Sequence, residues 1–509
     1  MKRVKIMTAE EAAALIENND TIILCGCENL LVPEKVLSAL GERYMRTGAP
    51  AGITEIHPIV TGMGPGTGLE HFAHPGMVRK AIGSGFSFLK TSKYSAMLRE
   101  NAFEAHVVPM GTIFQMLEDL AAGKRETVTE IGIGTFVDPR FEGGRMNDAT
   151  VETLAQYEEA DGRGRLVYKL FPINKAIIRG TTADVYGNIS LEKEPVSLGV
   201  KVMAMAVKAC GGTVIAQVSR LTDGGSIHPR MVEIPGTLVD VVVIDEDQYL
   251  SGGKLNPYLT GELRMPEPIT SLTAPPEVED IILRRAAQEI VGSPVVNLGV
   301  GIPVDVPKAL RRIKGETGAT FMLEHGAIDG FPADRAIFGT NINPLAIIDS
   351  TDVFRIFRGG GLDISFLGFG QIDAEGNVNV SKFNGIVPGC GGFIDITSCT
   401  SRLVFCGTFT AGGADIRVEN GKLRIEKEGK YNKFVPRVEQ VTLNGRAAFA
   451  RGAKVLYVTE RAVFSLQERG LRLEEIVEGV DVDRDILQKI PFEIEVSPNL
   501  KRISIGKDG

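Results

Sequence analysis

The chain has 509 residues, with 56 Lys and Arg against 64 Asp and Glu, a net charge of −8, and 43% hydrophobic residues. Ample apolar sequence excludes disorder, glycines without a period of three exclude collagen, and the lack of a basic block argues against nucleic acid as a partner. No run of 18 uninterrupted apolar residues occurs, and Glu10 and Glu11 interrupt the start before any apolar h-region, which argues against a membrane span and a secretory signal.

The six cysteines are spread along the chain and make no disulfide framework, as expected of a reduced cytoplasmic protein. Cys25 and Cys27 lie in an apolar strand without the two-residue spacer of a zinc knuckle. The 59 glycines are about 12% of the chain against an average near 7%. They belong in turns where backbone passes close to something.

In chain order, residues 21–24 read as a buried strand and 33–40 as a helix. A glycine run follows at 61–68. His71 and His74 have the spacing of a helical metal pair, but Pro75 and Gly76 follow at once and no third ligand accompanies them. Residues 113–122 and 199–209 read as helices; 128–133, 214–218 and 239–244 read as buried strands. This alternation predicts an α/β fold with largely parallel sheets. Residues 265–276 hold four prolines in twelve positions and read as an extended linker. A helix over 277–291 and a new α/β series from Val295 follow. The predicted domains are therefore 1–264 and 277–509.

The halves echo each other. Pro33 to Leu40 resembles Pro303 to Leu310, each after an apolar strand and a glycine-containing turn. Asp184 to Asn188 and Asp373 to Asn377 share the pattern D-x-x-G-N. Two such pairs in the same order favour a duplicated unit with a site between its copies.

Chemistry could sit in three places. At 295–303 a strand ends in a glycine turn before a helix, an arrangement that points amides at an anion; a dinucleotide fingerprint would need a third glycine where Val304 stands. Glu324 ends a short apolar strand, with Gly326 leaving space beside it. It could be a strand-end salt-bridge partner, a ribose-binding acid or a nucleophile. At 386–395 a glycine-rich loop could converge amides on an oxyanion or simply reverse the chain. Gly359 to Gly361 form a further glycine run that names no ligand, and no G-x-S-x-G elbow of a serine hydrolase occurs.

Several segments carry a resemblance when taken in order. They are Phe72 to Gly76, Thr135 to Arg140 with Glu142 to Gly144, Asp184 with Gly187 and Asn188, Glu192 to Glu194, Gly299 to Pro303, Glu324 to Gly326, Asn379 to Lys382 and Gly389 to Phe393. The chain resembles the family I coenzyme A-transferases in their fused form, nearest to propionate and acetate CoA-transferases. The resemblance implies two related open α/β domains. It implies that Glu324 is the catalytic nucleophile, forming a glutamyl-CoA thioester with ping-pong kinetics. It implies that Gly391 and Gly392 supply oxyanion amides, and that Gly299, Val300, Gly301, Ile302 and Pro303 help hold CoA. Met110 and Gly111 stand where relatives often carry Gln-Gly, which makes them candidate pocket residues and predicts altered acceptor choice. The partners implied are acyl-CoA and short-chain carboxylic acids, in a cytoplasmic homodimer or homotetramer. Coenzyme A is a cosubstrate; no metal or tightly bound cofactor is implied. Alternatives at this point are an acyl-CoA hydrolase using the same glutamate, a nicotinamide-dependent oxidoreductase, and a CoA-binding protein without catalysis.

Overall fold

The computed structural model describes residues 3–62, 64–86, 89, 91–248, 255–266, 275–315, 318–333, 335–383 and 385–505. Residues 267–274 of the expected linker lie outside them.

Two eight-stranded sheets organise the chain. The first has the spatial order Lys5–Met7, Val241–Ile244, Thr213–Val218, Lys175–Arg179, Thr21–Leu24, Ile53–His57, Val78–Gly83 and Glu104–Val107. Every neighbouring pair in it is parallel. Its central strands, such as Thr213–Val218 and Lys175–Arg179, are covered on both faces, which is why they are rich in Val, Ile and Ala. The second sheet runs Thr320–Phe321, Val295–Leu298, Ile364–Gly368, Arg402–Cys406, Lys454–Val458, Ala462–Gln467, Gly470–Val477 and Glu495–Ile503. It is parallel as far as Lys454–Val458, turns antiparallel through two short reversals to Gly470–Val477, and ends on a parallel pair with Glu495–Ile503.

The duplication is visible in strand order. In the first half the strand at 21–24 has 53–57 on one side and 175–179, 213–218 and 241–244 on the other. In the second half 295–298 has 320–321 on one side and 364–368, 402–406 and 454–458 on the other. Each half thus has a topological switch point beside its central strand, the place where open α/β sheets bind ligands.

The two D-x-x-G-N turns agree atom for atom. Asp184 Oδ1 accepts the amides of Tyr186 and Asn188, at 2.9 and 3.0 Å, while Oδ2 accepts Asn188 Nδ2. Asp373 does the same with Glu375 and Asn377. Each asparagine Oδ1 then accepts a distant glycine amide, Gly236 or Gly445.

Helices form where the apolar spacing predicts, with longer bounds: Glu34–Thr47 stops at left-handed Gly48, and Met110–Ala121 starts three residues before the predicted 113. Val200–Ala209 and Glu277–Ala287 follow the prediction, the latter ending four residues early. The 128–133 segment differs. Its strand is Glu126–Thr129, paired antiparallel in a small three-stranded side sheet, and Val128 is exposed. Its alternating exposure shows a half-solvated strand, which a count of β-branched residues does not separate from a buried one.

The halves meet along the ends of their strands. Phe86 donates its amide to Val387 O, Cys390 and Gly391 donate to Ser84 O, and Met110 donates to Gly391 O. Gly85 has no room for a side chain here: a Cβ would lie 1.8 Å from Pro388 O. Among the described residues no helix is long and apolar enough to cross a membrane.

Candidate active site

Both halves line one cavity of about 880 Å³, its open mouth included. The N-terminal half contributes Cys27, Glu28, Ile59, Val60, Ser84 and Met110; the C-terminal half contributes Gly299, Val300, Glu324, His325 and the 388–393 loop, among others. The turn after each half's central strand therefore reaches the same space.

Glu324 stands on a tight turn just beyond the edge strand Thr320–Phe321. Leu323 donates its amide to Ala327 O and Gly326 donates to Leu323 O, both at 3.0 Å. Gly326 has φ 114°, and a Cβ there would lie 2.0 Å from Ile348 O. Only glycine fits that position. The Glu324 side chain is held from below by Asn297, whose Nδ2 donates to Met322 O at 3.1 Å and to Glu324 Oε2 at 3.3 Å. Asn297 is fully buried in the middle of an apolar strand. A polar residue at such a position keeps its place only by bonding something. That signal was available in the sequence, and Asn297 went unrecognised there.

His325 lines the cavity beside Glu324. Its ring packs edge-on against Phe338, and a Cβ on Gly339 would come within 2.6 Å of it. Burial pushes its pKa down against the opposing charge of Glu324, so it is neutral at neutral pH.

The two glycines of the 389–392 loop differ in what their amides do. Gly391 donates to Ser84 O at 3.0 Å, so its N–H is occupied by the other half of the molecule. Gly391 is therefore corrected from oxyanion donor to domain contact. Gly392 lines the cavity and, among the described residues, its amide has no protein acceptor. A similar correction applies to Gly111. It does not line the cavity with Met110; its amide donates to Asp395 Oδ2 at 2.9 Å, and it is packed against Phe354. Met110 is buried in the cavity wall.

In the 299–303 turn, Gly299 donates to Phe366 O at 2.7 Å. The amides of Val300 and Gly301 have no protein acceptor among the described residues. Val300 is half-exposed at the cavity edge. Gly301 has φ 89° with open space around it, so its backbone angle, not crowding, calls for glycine. Ile302 and Pro303 begin the short 3-10 turn Ile302–Asp305 and do not line the cavity. Two adjacent amides without a protein acceptor are suited to an anion.

The other glycine run, at 61–68, folds on itself: Leu69 donates to Thr61 O, and a Cβ on Gly68 would lie 2.3 Å from that oxygen. His71 bonds Glu34 at 2.6 Å and His74 stacks on Tyr44. Among the described residues no group of three His, Cys, Asp or Glu is placed to share a metal ion.

A model of the family described as coenzyme A transferase matches residues 6–245. The chain is 37% identical over 502 residues to the acetate CoA-transferase YdiF of Escherichia coli K12, covering 98% of this chain and 94% of that one. It is 37% identical over 519 residues to the caffeate CoA-transferase of Acetobacterium woodii, covering 99% and 97%. Its fold superposes on the crystal structure of the acyl-CoA transferase YdiF of E. coli O157:H7, a thioester complex with CoA. The TM-score is 0.91 at 36% identity, over 99% of this chain and 96% of that chain.

Proposed function

The chain belongs to the coenzyme A transferase family, and we propose that Glu324 carries CoA from a short-chain acyl-CoA to a second short-chain acid of the acetate and propionate class. The enzyme is an acyl-CoA:carboxylate CoA-transferase, with the CoA thioester as cosubstrate. One observation carries the role of Glu324: its carboxylate is fixed by Asn297 on the wall of the cavity that Gly392 also lines with its free amide.

The chemistry needs a carboxylate. Glu324 attacks the thioester carbonyl, expelling CoA thiolate and forming a mixed anhydride. The thiolate attacks the glutamyl carbonyl of that anhydride, which releases the first acid and leaves a glutamyl-CoA thioester. The second acid attacks this thioester, giving a new anhydride and thiolate. The thiolate then attacks the new acyl carbonyl and frees Glu324. Each step exchanges one activated acyl bond for another, so the thioester's free energy is kept; a serine ester would lose it. The Gly392 amide is the oxyanion donor in this reading, and the amides of Val300 and Gly301 face the anionic part of CoA. A cavity lined by Met110, Phe393 and Ile396 keeps water from the anhydride.

The same reading divides the chain at 265–276 and makes the enzyme a homodimer or homotetramer. Six unpaired cysteines suit its placement in a reducing cytoplasm. Acetyl-CoA incubation, borohydride or hydroxylamine treatment and peptide mass mapping test the mechanism. The expected adduct is on Glu324 and disappears in Glu324→Ala, and CoA passes to propionate instead of accumulating free. An adduct elsewhere, or none, would sink the assignment.

A further inference from the structure

Glu28 is a second carboxylate in the cavity, and the reaction above does not use it. It is held in an unusual way. Its φ is 51°, the left-handed region that a glutamate seldom occupies. The backbone around it is fixed from several sides. Its amide donates to Val60 O at 2.6 Å, its carbonyl accepts the Gly62 amide, and Cys27 and Leu30 exchange both backbone bonds, at 2.9 and 2.7 Å. A strained turn bound this tightly presents its side chain in one place.

That side chain lines the cavity on the N-terminal half's wall, with Ile59, Val60 and Met110. Among the described residues its carboxylate has no hydrogen-bond or ion-pair partner, and burial alone pushes its pKa up to about 7. The adjacent Cys27 thiol feels both Glu28 and Glu324, so the two carboxylates share one neighbourhood. The described lining contains no Lys or Arg, and His325 is neutral. A half-buried carboxylate with no counter-charge is costly, and here it also repels the anionic acid that must enter. A substrate that brought its own positive charge would cancel both penalties. A plain alkyl acid would cancel neither, and an acid with a second carboxylate would worsen both.

We infer that Glu28 determines acyl specificity, and that the acid it selects carries an ammonium group on its short chain. The inference rests on the transfer reaction proposed above. Glu28 does not touch the reacting atoms; it pairs with the substituent and so favours zwitterionic amino acids over unsubstituted ones.

The test is transfer from acetyl-CoA at pH 8 to butyrate, 3-hydroxybutyrate and 3-aminobutyrate, by wild type, Glu28→Gln and Glu28→Leu. Wild type is expected to favour 3-aminobutyrate over butyrate at least tenfold in kcat/KM. In both variants that ratio falls at least tenfold, with 3-aminobutyrate becoming worse and butyrate better. Glutamine keeps the shape of the side chain and removes its charge, so it decides the matter if the leucine variant does not fold. An unchanged ratio in Glu28→Gln, or a gain for 3-hydroxybutyrate equal to that for 3-aminobutyrate, would overturn the inference while leaving the transferase reading intact. No transfer to any acid and no adduct on Glu324 would overturn both.

Discussion

Asp395 of the C-terminal half accepts the amide of Gly111 of the N-terminal half, Oδ2 to N at 2.9 Å, with both residues buried. Arg358 reaches the other carboxylate oxygen at 3.3 Å. A Cβ on Gly111 would lie 2.6 Å from Asp395 Oδ1, so the contact needs glycine as well as aspartate. The neighbouring Met110 is thereby fixed in the cavity wall.

Asp395→Ala leaves the Gly111 amide unsatisfied and the partly buried Arg358 without its counter-charge. The expected loss is about 3 kcal/mol of stability. Denaturant unfolding measures it. Because Asp395 also aligns Met110, KM for the acid should rise in protein that remains folded. Stability and kinetics both like wild type would refute the role.

Asn297 is the positioning residue for Glu324. Asn297→Ala removes the donor to Oε2 and leaves space under the carboxylate. A misplacement of about 1 Å can cost roughly 100-fold in rate, so kcat should fall by about 10- to 100-fold. KM for acyl-CoA should change much less, because the hydrogen bonds of the Asn297 side chain go to Met322 and Glu324 and not to the 299–300 turn. A purely structural role would instead lower the fraction of active protein, which titration of Glu324 adducts would reveal.

His57 couples stability to pH. Its ring is fully buried, Nδ1 lies 2.8 Å from Glu55 and Nε2 lies 2.7 Å from Gly85 O. Burial alone would push its pKa down, but the charge and hydrogen bond of Glu55, with the Gly85 carbonyl, outweigh it and hold the pKa above its ordinary value. A histidine raised in the folded state contributes stability that is full below its unfolded pKa of about 6.5 and is lost as pH rises through the folded value. Thermal unfolding from pH 6 upwards should therefore show a falling Tm that flattens in His57→Gln. Equal slopes in the two proteins would contradict this. Gly85 is also the residue pressed against Pro388, so the loss at high pH should loosen the contact between the halves.

Met110→Gln places an amide in an apolar wall beside the acid. Methionine is flexible and tolerates several acyl shapes. The glutamine variant should change the ranking of acetate, propionate and butyrate as acceptors by roughly tenfold, since a buried amide discriminates by whether it is satisfied. Competition between the three acids in one reaction reads this out. An unchanged order would remove Met110 as a determinant of acceptor choice.

The central strands, the helices after them and the D-x-x-G-N turns were legible in the sequence because each depends on neighbours within a few residues. The strand before Glu324 was legible but ends at Phe321, short of the carboxylate its apolar run reaches, and the side sheet at 126–129 was read as a buried strand. Their pairing partners lie far along the chain, and a two-residue strand carries no periodicity of its own. Among the site residues, Glu324 could be picked out as a carboxylate at a strand end. Glu28 could not, because nothing in the string Cys-Glu-Asn-Leu says that the backbone turns left-handed there.

The amino-acid sequence by itself determined the α/β alternation, the duplicated halves and the glycines whose angles or crowding admit nothing else, because these are local consequences of side-chain shape and spacing. The tertiary structure alone decided which glycine amides are free. Gly391 and Gly392 are adjacent and identical as residues, yet Ser84, 307 positions before Gly391, takes the amide of one, while the other has no acceptor among the described residues. Gly111 loses its amide to Asp395 in the same way. A hydrogen bond is made by whatever acceptor the fold brings within about 3 Å, and that distance is a property of the assembled halves.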